Sequence, residues 1–433
     1  MLYAKSGRKE DLVVRGARVV DPTEGIDRVC DVRVDRGVIA QVGTGVDANG
    51  HRVVEGEGLV LAPAFVDPHV HLRVPGGEDE ETIASGTAAA AAGGYCAILA
   101  MPNTDPVVDS ASVLGSLIED AKAEATVPVG FLAAITRGQE GAELTEMVEL
   151  AEHGAAGFSD DGRPVVAPGL MRRALQYHGL TGRRLALHCE EPTLSRGGQM
   201  HEGAVSAELG FAGYPSVAES VMVERDLSLA AYERSPLHLL HLSARESVEA
   251  LAAAQAKGVA ATAEATPHHL CLTDEAVRTL DSNLKMNPPL RSADDRAALI
   301  DGLRDGTISA VATDHAPHLR HEKEVPFEAA PFGVTGLETA FAALYTHLVE
   351  PGLLKLETLL ERMSAGPARA YGLEPPRIAP GAPANLVLLD TEGTRRVEEC
   401  GFRSRSANSW LLGQTLRGQV RLTVAAGRLA FVA

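Results

Sequence analysis

The sequence predicts an α/β protein, a (β/α)₈ barrel with a small β-sandwich domain formed from both termini. The barrel is predicted because, between residues 63 and 379, short apolar runs alternate with Ala-rich stretches of helix-like sequence. Strand–helix alternation favours a parallel sheet, and eight such units favour a closed, TIM-like barrel. The sandwich is predicted because both ends of the chain carry short β-branched runs separated by Gly and Asp.

Each predicted barrel strand is a short apolar run. The runs lie at residues 64–71, 95–100, 128–135, 155–160, 184–189, 237–242, 258–263 and 308–314. The helix-like sequence between them includes 79–92 and 244–257. An open, doubly wound sheet is the alternative, but no Gly-x-Gly-x-x-Gly turn follows the first strand, which favours the barrel.

The terminal strands set the predicted domain boundaries. They lie at residues 12–20, 31–42, 51–61, 385–389 and 418–431. We therefore predict a composite β-sandwich domain from residues 1–62 plus 380–433, and a barrel domain from residues 63–379.

Charge and cysteine content restrict the class of protein. The chain has 433 residues, with 40 Lys and Arg against 58 Asp and Glu, a net charge of −18. This balance disfavours nucleic-acid and anionic-membrane partners, and an anionic substrate would need local cations to hold it. The 5 cysteines form no Cys-x-x-Cys pair, and neither a signal peptide nor an apolar run of about 20 residues is evident. We expect a soluble, cytoplasmic protein with free thiols.

Histidine and aspartate side chains lie at the ends of the predicted strands. His69 and His71 are two residues apart on the first strand, so both imidazoles leave the same face. Four further strands end in the same residue types, at Asp160-Asp161, His188, His241 and Asp314. The strand ends form the active-site face of such barrels, and imidazoles with carboxylates suit zinc-like ions. Because these groups are too many for one tetrahedral ion, we predict two ions that share a carboxylate.

Several motifs carry a resemblance to a known family. Residues 67–77 (DPHVHLRVPGG) resemble the dihydroorotase signature of the amidohydrolase superfamily. The stretches 101–104 (MPNT), 285–291 (KMNPPLR) and 312–318 (ATDHAPH) match further motifs of this family in the same order. The similarity spans essentially the whole chain and is closest to the long bacterial class I enzymes, whose barrel is a metal-dependent amidohydrolase domain.

The resemblance implies a ligand set for Zn²⁺, with two ions per subunit or one. It assigns His69 and His71 to the first zinc, His188 and His241 to the second, Asp161 to the bridge, and Asp314 to the first site and to proton movement. Many relatives bridge their metals with a carbamylated lysine, but no lysine lies between Lys122 and Lys257. Asp160 is the alternative bridge; adjacent strand residues face opposite ways, so only one of the two can serve.

The resemblance also implies the reaction and the substrate contacts. The expected reaction is the reversible cyclisation of N-carbamoyl-L-aspartate to L-dihydroorotate in de novo pyrimidine biosynthesis, with metal-bound hydroxide attacking the ring amide and Asp314 shuttling the proton. The planar fork of Arg73 suits the substrate carboxylate. The residues expected to contact the substrate are His71, Arg73, Asn103, Asn287, His318, Phe332 and Gly333. Solvated surface exposure for Arg73, and turn capping for the two asparagines, are the alternatives.

Two other functions are weighed against this one. Another cyclic amidohydrolase, a hydantoinase or allantoinase, is disfavoured by Arg73 together with Asn103 and by the missing bridging lysine. A non-catalytic, dihydroorotase-like partner of aspartate transcarbamoylase would have lost its ligands, whereas all six ligand positions here carry competent side chains. The resemblance also allows a homodimer and an association with aspartate transcarbamoylase.

Residues near the predicted site receive simpler interpretations. We expect His268 and His269 to end strand seven, with a supporting role for them left open. His238 should face away from His241, since it lies three residues earlier on the same strand. His201 lies on a loop that shapes the mouth, and the thiol of Cys189 should face the helices. Residues 319–331 are polar and long, which suits a mobile lid.

Overall fold

Eight parallel strands form the central sheet of the structure, a computed structural model that describes residues 1–433. They are β6 (Phe65–Val70), β7 (Tyr95–Ala100), β8 (Val129–Ala133), β9 (Gly157–Ser159), β10 (Arg184–Leu187), β13 (Leu237–Leu239), β14 (Ala261–Ala265) and β15 (Ala310–Val311). They lie side by side in chain order. The ring closes where Val70 bridges His315 in parallel and the His71 N–H donates to the His315 carbonyl at 2.9 Å.

Helices lie between these strands and after the last of them. They are α1 (Ile83–Ala92), α2 (Ala111–Glu124), α3 (Met147–His153), α4 (Pro168–Thr181), α5 (Pro192–Ser195), α6 (Ala204–Leu209), α7 (Val217–Glu233), α8 (Arg245–Ala256), α9 (Pro267–Cys271), α10 (Ala293–Asp305), α11 (Arg320–Lys323), α12 (Ala340–Leu344), α13 (Leu356–Met363) and α14 (Ala365–Ala370). The helices predicted within 79–92 and 244–257 are present. The first begins later than expected because Thr82 caps it, accepting from the Ser85 N–H.

A second sheet combines both ends of the chain. Its strands are β1 (Leu12–Asp21), β2 (Ile26–Asp35), β3 (Val38–Gly43), β4 (Arg52–Glu55), β5 (Val60–Pro63), β16 (Leu386–Arg396), β17 (Thr415–Ala425) and β18 (Arg428–Val432). β5 pairs with β1 on one side and β16 on the other, so the two ends form one continuous sheet. This sheet packs over its own apolar cluster, which includes Val14, Ile39 and Leu388.

The predicted fold class is confirmed: a barrel of parallel strands, with a β-domain built from both termini. The exact domain boundaries stay a prediction. A two-stranded ribbon of β11 (Met200–His201) and β12 (Gly213–Tyr214) adds to the barrel loops. None of the helices combines the length and the apolar character needed to span a bilayer.

Strand seven is shifted from its predicted position. The expected run was 258–263, whereas β14 spans Ala261–Ala265. The prediction that His268 and His269 end this strand is therefore wrong. Both residues lie on the short helix α9. The predicted bounds were wrong because Ala and Thr occur both within the strand and next to it. The hydrophobic pattern therefore gives no sharp boundary here.

Candidate metal centre and active site

All six predicted metal ligands are buried and converge at the carboxyl-terminal ends of the barrel strands. His69 lies on β6, and the remaining five follow the ends of β6, β9, β10, β13 and β15. These five residues are His71, Asp161, His188, His241 and Asp314. Parallel strands end at one rim, so residues far apart in sequence share one site.

The carboxylate of Asp161 lies between two pairs of imidazoles. Its Oδ2 is 3.5 Å from Nε2 of both His69 and His71. Its Oδ1 is 3.5 Å from His188 Nδ1 and 3.4 Å from His241 Nε2. Burial alone would raise the pKa of Asp161, but the charge of His69 and hydrogen bonds from His188 and His241 lower it well below its ordinary value. One ionised group thus faces both pairs, with one oxygen directed at each.

Asp314 completes one half of this arrangement. Its Oδ1 is 3.0 Å from His71 Nε2 and 3.4 Å from His69 Nε2. His69 Nε2 is a buried ring nitrogen without a hydrogen-bond partner. Nitrogen and carboxylate donors of His69, His71 and Asp314, and of His69, Asp161 and His241, lie within 4.8 Å of one another. An unpartnered buried nitrogen in a set of imidazole and carboxylate donors fits a divalent cation.

Three residues of the site have left-handed backbone conformations that non-glycine residues rarely adopt. The φ angles are 60° at Arg73, 27° at His241 and 48° at Asp314. Such conformations persist only where the surrounding structure enforces them, and they concentrate at functional sites. Arg73 lies three residues beyond the end of β6 at Val70, in the loop that follows the strand.

Glu264 is an acidic residue of the site that sequence reasoning missed. It lies on β14 and is fully buried, with Oε1 at 2.7 Å from His69 Nδ1 and Oε2 at 2.9 Å from His238 Nε2. Burial would raise its pKa, but the charges and hydrogen bonds of both histidines lower that pKa to about 2. A carboxylate on Nδ1 leaves Nε2 of His69 available as a ligand. His238 thus faces this carboxylate and not His241.

Glu190 is a second missed residue, on the opposite side of the site. Its Oε2 lies 2.9 Å from His188 Nε2 and accepts from Asn287 Nδ2 at 3.1 Å, and its Oε1 accepts from Ser195. Hydrogen bonding and charge from His188 outweigh burial and lower the pKa of Glu190 to about 2. Oδ1 of Asn287 is buried and has no hydrogen-bond partner, so it is a free acceptor. The residue just after His188-Cys189 carried no motif signal, which is why it was missed.

Asp160 has a different environment from its neighbour. Its carboxylate accepts the Ile135 and Thr136 N–H groups at 2.8 and 3.1 Å and the Thr136 hydroxyl. Burial raises its pKa to about 6. It therefore holds the loop after β8 and makes no hydrogen bond to the imidazoles. Both aspartates follow the end of β9 at Ser159, so it is these contacts, and not strand alternation, that distinguish them.

Asn103 and His71 contact each other. Oδ1 of Asn103 lies 2.9 Å from His71 Nδ1, and its Nδ2 donates to Asp161 Oδ2 at 3.3 Å. The amide thus touches two of the candidate metal ligands. Its substrate contact stays a prediction, and turn capping is not what its side chain does here.

Arg73 forms a cluster with residues of two loops. Nε of Arg73 donates to the Pro317 carbonyl at 3.0 Å and lies 3.0 Å from Glu80 Oε2, and its Nη2 is 3.2 Å from His318 Nε2. The Arg73 side chain is only 17% exposed, so it is not a solvated surface group. This places a fixed cation at the rim of a protein whose net charge is negative.

Phe332 and Gly333 border this cluster. The Phe332 carbonyl lies 2.8 Å from His318 Nε2. The Gly333 N–H donates to the Lys285 carbonyl at 2.9 Å, and its own carbonyl accepts from Lys323 Nζ at 3.0 Å. The N–H and the carbonyl of Gly333 thus both have partners within the protein. A substrate that contacts either group would share it with that partner.

The other residues that the sequence placed near the site have their contacts mostly outside the six predicted metal ligands. His268 is buried with an unpartnered Nε2, and burial lowers its pKa well below the ordinary value. His269 Nε2 faces the Pro288 carbonyl at 2.9 Å, and His201 Nδ1 lies 3.2 Å from Arg291. Cys189 is buried and its pKa is raised well above the ordinary value by burial.

Residues 319–331, expected to form a lid, contain the short helix α11 and are held by hydrogen bonds from two lysines. Phe327 is buried, and Lys285 Nζ donates to the carbonyls of Phe327 and Glu328 at 2.9 and 3.0 Å. Lys323 is also buried and donates to Pro331 as well as to Gly333. Movement of this segment stays a prediction.

Known proteins resemble this chain in sequence and in fold. Residues 58–276 match a family model described as dihydro-orotase-like. A dihydroorotase of Pelotomaculum thermopropionicum is 46% identical over 96% of this chain and 98% of its own length. A dihydroorotase of Geobacter metallireducens is 44% identical over 97% and 99%. The structure resembles L-hydantoinase (dihydropyrimidinase) from Arthrobacter aurescens, with a TM-score of 0.87 at 25% identity over 97% of this chain and 96% of that one.

Proposed function

We propose a mechanism and a ligand set for this chain, which belongs to the dihydroorotase family of the amidohydrolase superfamily. The reaction is the reversible conversion of N-carbamoyl-L-aspartate into L-dihydroorotate in pyrimidine biosynthesis. The observation that carries the proposal is the position of Asp161, with one carboxylate oxygen directed at each pair of imidazoles.

The proposed cofactor is Zn²⁺, with two ions per chain. His69, His71 and Asp314 would hold one ion, His188 and His241 the other, and Asp161 would bridge them. Imidazole nitrogens and carboxylate oxygens without thiolates suit zinc, and two imidazole pairs around one carboxylate suit two ions. When bound, such ions polarise a carbonyl oxygen and lower the pKa of water to about 7.

Asp314 is the proposed proton carrier. Its carboxylate is buried, and the charge of His69 with a hydrogen bond from His71 lowers its pKa below the ordinary value, against the effect of burial. In hydrolysis, oxygen from water bonds to the ring carbonyl carbon and the ring C–N bond breaks. Asp314 takes the proton that the water loses and delivers it to the ring nitrogen; ring closure uses the same group in reverse.

The substrate carboxylate is assigned to Arg73 and His318. A guanidinium offers several N–H donors in a plane, which matches a carboxylate, and Glu80 holds the group in place in the free protein. Asn287 is assigned to the substrate ring through its unpartnered Oδ1. His71, Asn103, Phe332 and Gly333 border the same space and complete the proposed substrate contacts.

The proposed cellular location rests on the sequence pattern, and the proposed assembly rests on the family resemblance. We propose a cytoplasmic enzyme acting on a small molecule. Self-association and association with aspartate transcarbamoylase stay predictions, for which gel filtration of the purified chain with and without that enzyme is the test.

The experiment is an assay of both directions of the reaction, before and after removal of metal with a chelator. We expect turnover of dihydroorotate and of carbamoyl-aspartate, loss of both after chelation, and recovery on adding zinc. Hydantoin and allantoin serve as comparison substrates. Faster turnover of either one would assign the site to another cyclic amide, and full activity after verified metal removal would refute the metal role.

A further inference from the structure

The segment between β16 and β17 leaves the terminal sheet and lies against the active-site end of the barrel. We call residues 403–408 (RSRSAN) the strap. Its polar residues Ser404, Ser406 and Asn408 are buried. Their side chains do not bond to the terminal sheet: Ser406 donates to the Glu80 carbonyl at 2.8 Å, and the other two contact loops that carry site residues. The strap is thus a bridge from the terminal sheet to the site.

Asn408 joins the two loops that form the proposed substrate side. Its Oδ1 accepts from the His318 N–H at 3.1 Å. Its Nδ2 donates to the Ala316 carbonyl at 3.1 Å and to the Gly333 carbonyl at 3.3 Å. The backbone carbonyl of Asn408 also accepts from the Thr335 N–H at 2.9 Å. One side chain therefore fixes the spacing between residues 316–318 and residue 333.

Ser404 reaches the metal side of the site through Glu81. Glu81 is fully buried; its Oε2 accepts from the Ser404 hydroxyl and lies 3.1 Å from His315 Nε2. His315 Nδ1 accepts from the Gly336 N–H at 3.1 Å, so its proton is on Nε2, directed at Glu81. His315 follows Asp314 directly, and its carbonyl accepts from the His71 N–H. Glu81 thus holds His315, which in turn positions the proposed metal ligands Asp314 and His71.

We propose that the strap is a positioning element for the reaction, acting through Asn408 on the substrate loops and through Glu81 on Asp314 and His71. The left-handed backbone at Asp314 needs such support, because a chain free to relax would leave that conformation. The inference rests on the proposed function, since the groups that it places are the proposed proton carrier, metal ligands and substrate contacts.

The first test is Asn408→Asp, which preserves size but removes the amide N–H donors to Ala316 and Gly333. We expect KM for dihydroorotate to rise at least about tenfold, because two buried hydrogen bonds are lost together, with kcat within about threefold of wild type. Metal content should not change. Asn408→Ser, which is smaller and uncharged, replaces this variant if it does not fold, with the same expected split between KM and kcat.

The second test is Glu81→Gln, which keeps the side-chain shape but loses the charge and one acceptor oxygen. Because this side of the strap supports Asp314 and His71, we expect kcat to fall about tenfold with a smaller change in KM. We also expect the purified variant to retain less metal than wild type, which is a readout independent of activity. The Asn408 variant should thus change mainly KM, and the Glu81 variant mainly kcat and metal content.

Asn385→Ala is the matched control, because Asn385 Oδ1 accepts from the Ala426 N–H at 2.6 Å within the terminal sheet. It should lower the melting temperature without changing KM, kcat or metal content. Folded Asn408 and Glu81 variants that behave like this control overturn the inference. His318→Ala distinguishes failure of this inference from failure of the proposed function. If its KM is normal, the substrate assignment of His318 is wrong. If its KM is raised while the strap variants behave like wild type, only the role of the strap is refuted.

Discussion

Replacing Glu264 by Gln tests how the barrel prepares a metal ligand. Glu264 Oε1 lies 2.7 Å from His69 Nδ1, and its other oxygen is 2.9 Å from His238 Nε2. Gln keeps the volume but loses the charge, and its amide N–H₂ must face one of these two nitrogens. The contact that fixes the His69 ring is thereby weakened, while no ligand is removed.

The magnitude follows from the kind of contact. A hydrogen bond to a charged group contributes about 1.5–3 kcal/mol, and loss of about 2 kcal/mol corresponds to roughly 30-fold in affinity. We therefore expect the affinity for zinc to fall about 30-fold in Glu264→Gln, within the roughly 10–100-fold range typical of residues that orient metal ligands. Turnover at limiting zinc should fall in parallel and recover at high zinc.

The assay is competition for zinc between the apo-protein and a chelator of known affinity. Asp21→Asn is the matched control, because Asp21 is an equally buried carboxylate in the terminal sheet, where it accepts from the Ile378 N–H. The control should lose stability but not zinc affinity. A Glu264→Gln protein that binds zinc as tightly as wild type would show that His69 is fixed by packing alone, and the reasoning would be refuted.

Three further substitutions test other parts of the account. Asp314→Ala should lower kcat at least about 100-fold in a protein that still folds, because it removes the proposed proton carrier and one proposed metal ligand; near-normal turnover would contradict this. Arg73→Lys should weaken dihydroorotate binding about tenfold, since an ammonium cannot form a two-point contact, and unchanged affinity in a binding titration would remove the clamp. Burial, followed by the charge of Lys285, lowers the pKa of Lys323 to about 7. Between pH 7 and about 10 the unfolded chain therefore binds a proton that the folded chain lacks, and the free energy of unfolding should rise with pH by up to about 1.4 kcal/mol per unit. Urea unfolding at pH 7, 8 and 9 should show this rise for wild type relative to Lys323→Met; parallel curves would contradict it.

Local patterns were enough to predict much of this architecture. Alternation of short apolar runs with helix-like stretches predicted the barrel, and the positions of His69, Asp161 and His241 at strand ends predicted that their side chains meet. Strand alternation could not distinguish Asp160 from Asp161, because both follow the end of β9 at Ser159; their contacts distinguish them instead.

The supporting residues could not be predicted in this way. Glu264 contacts His69 across 195 positions of sequence, and Asn408 contacts His318 across 90. Neither lies in a motif that the residues alone reveal, and the strand that carries Glu264 was placed too early. Such contacts depend on loop paths and on which strand neighbours which, and these become visible only when the chain is folded.

The most direct measurement is the number of zinc ions bound per chain by metal-free protein, compared between wild type, Asp161→Asn and Asp160→Asn. The account predicts two ions for wild type and for Asp160→Asn, because Asp160 bonds to Thr136 and not to the imidazoles. Asp161→Asn should bind fewer than two ions and lose turnover. Two ions bound with wild-type affinity by Asp161→Asn would contradict the account.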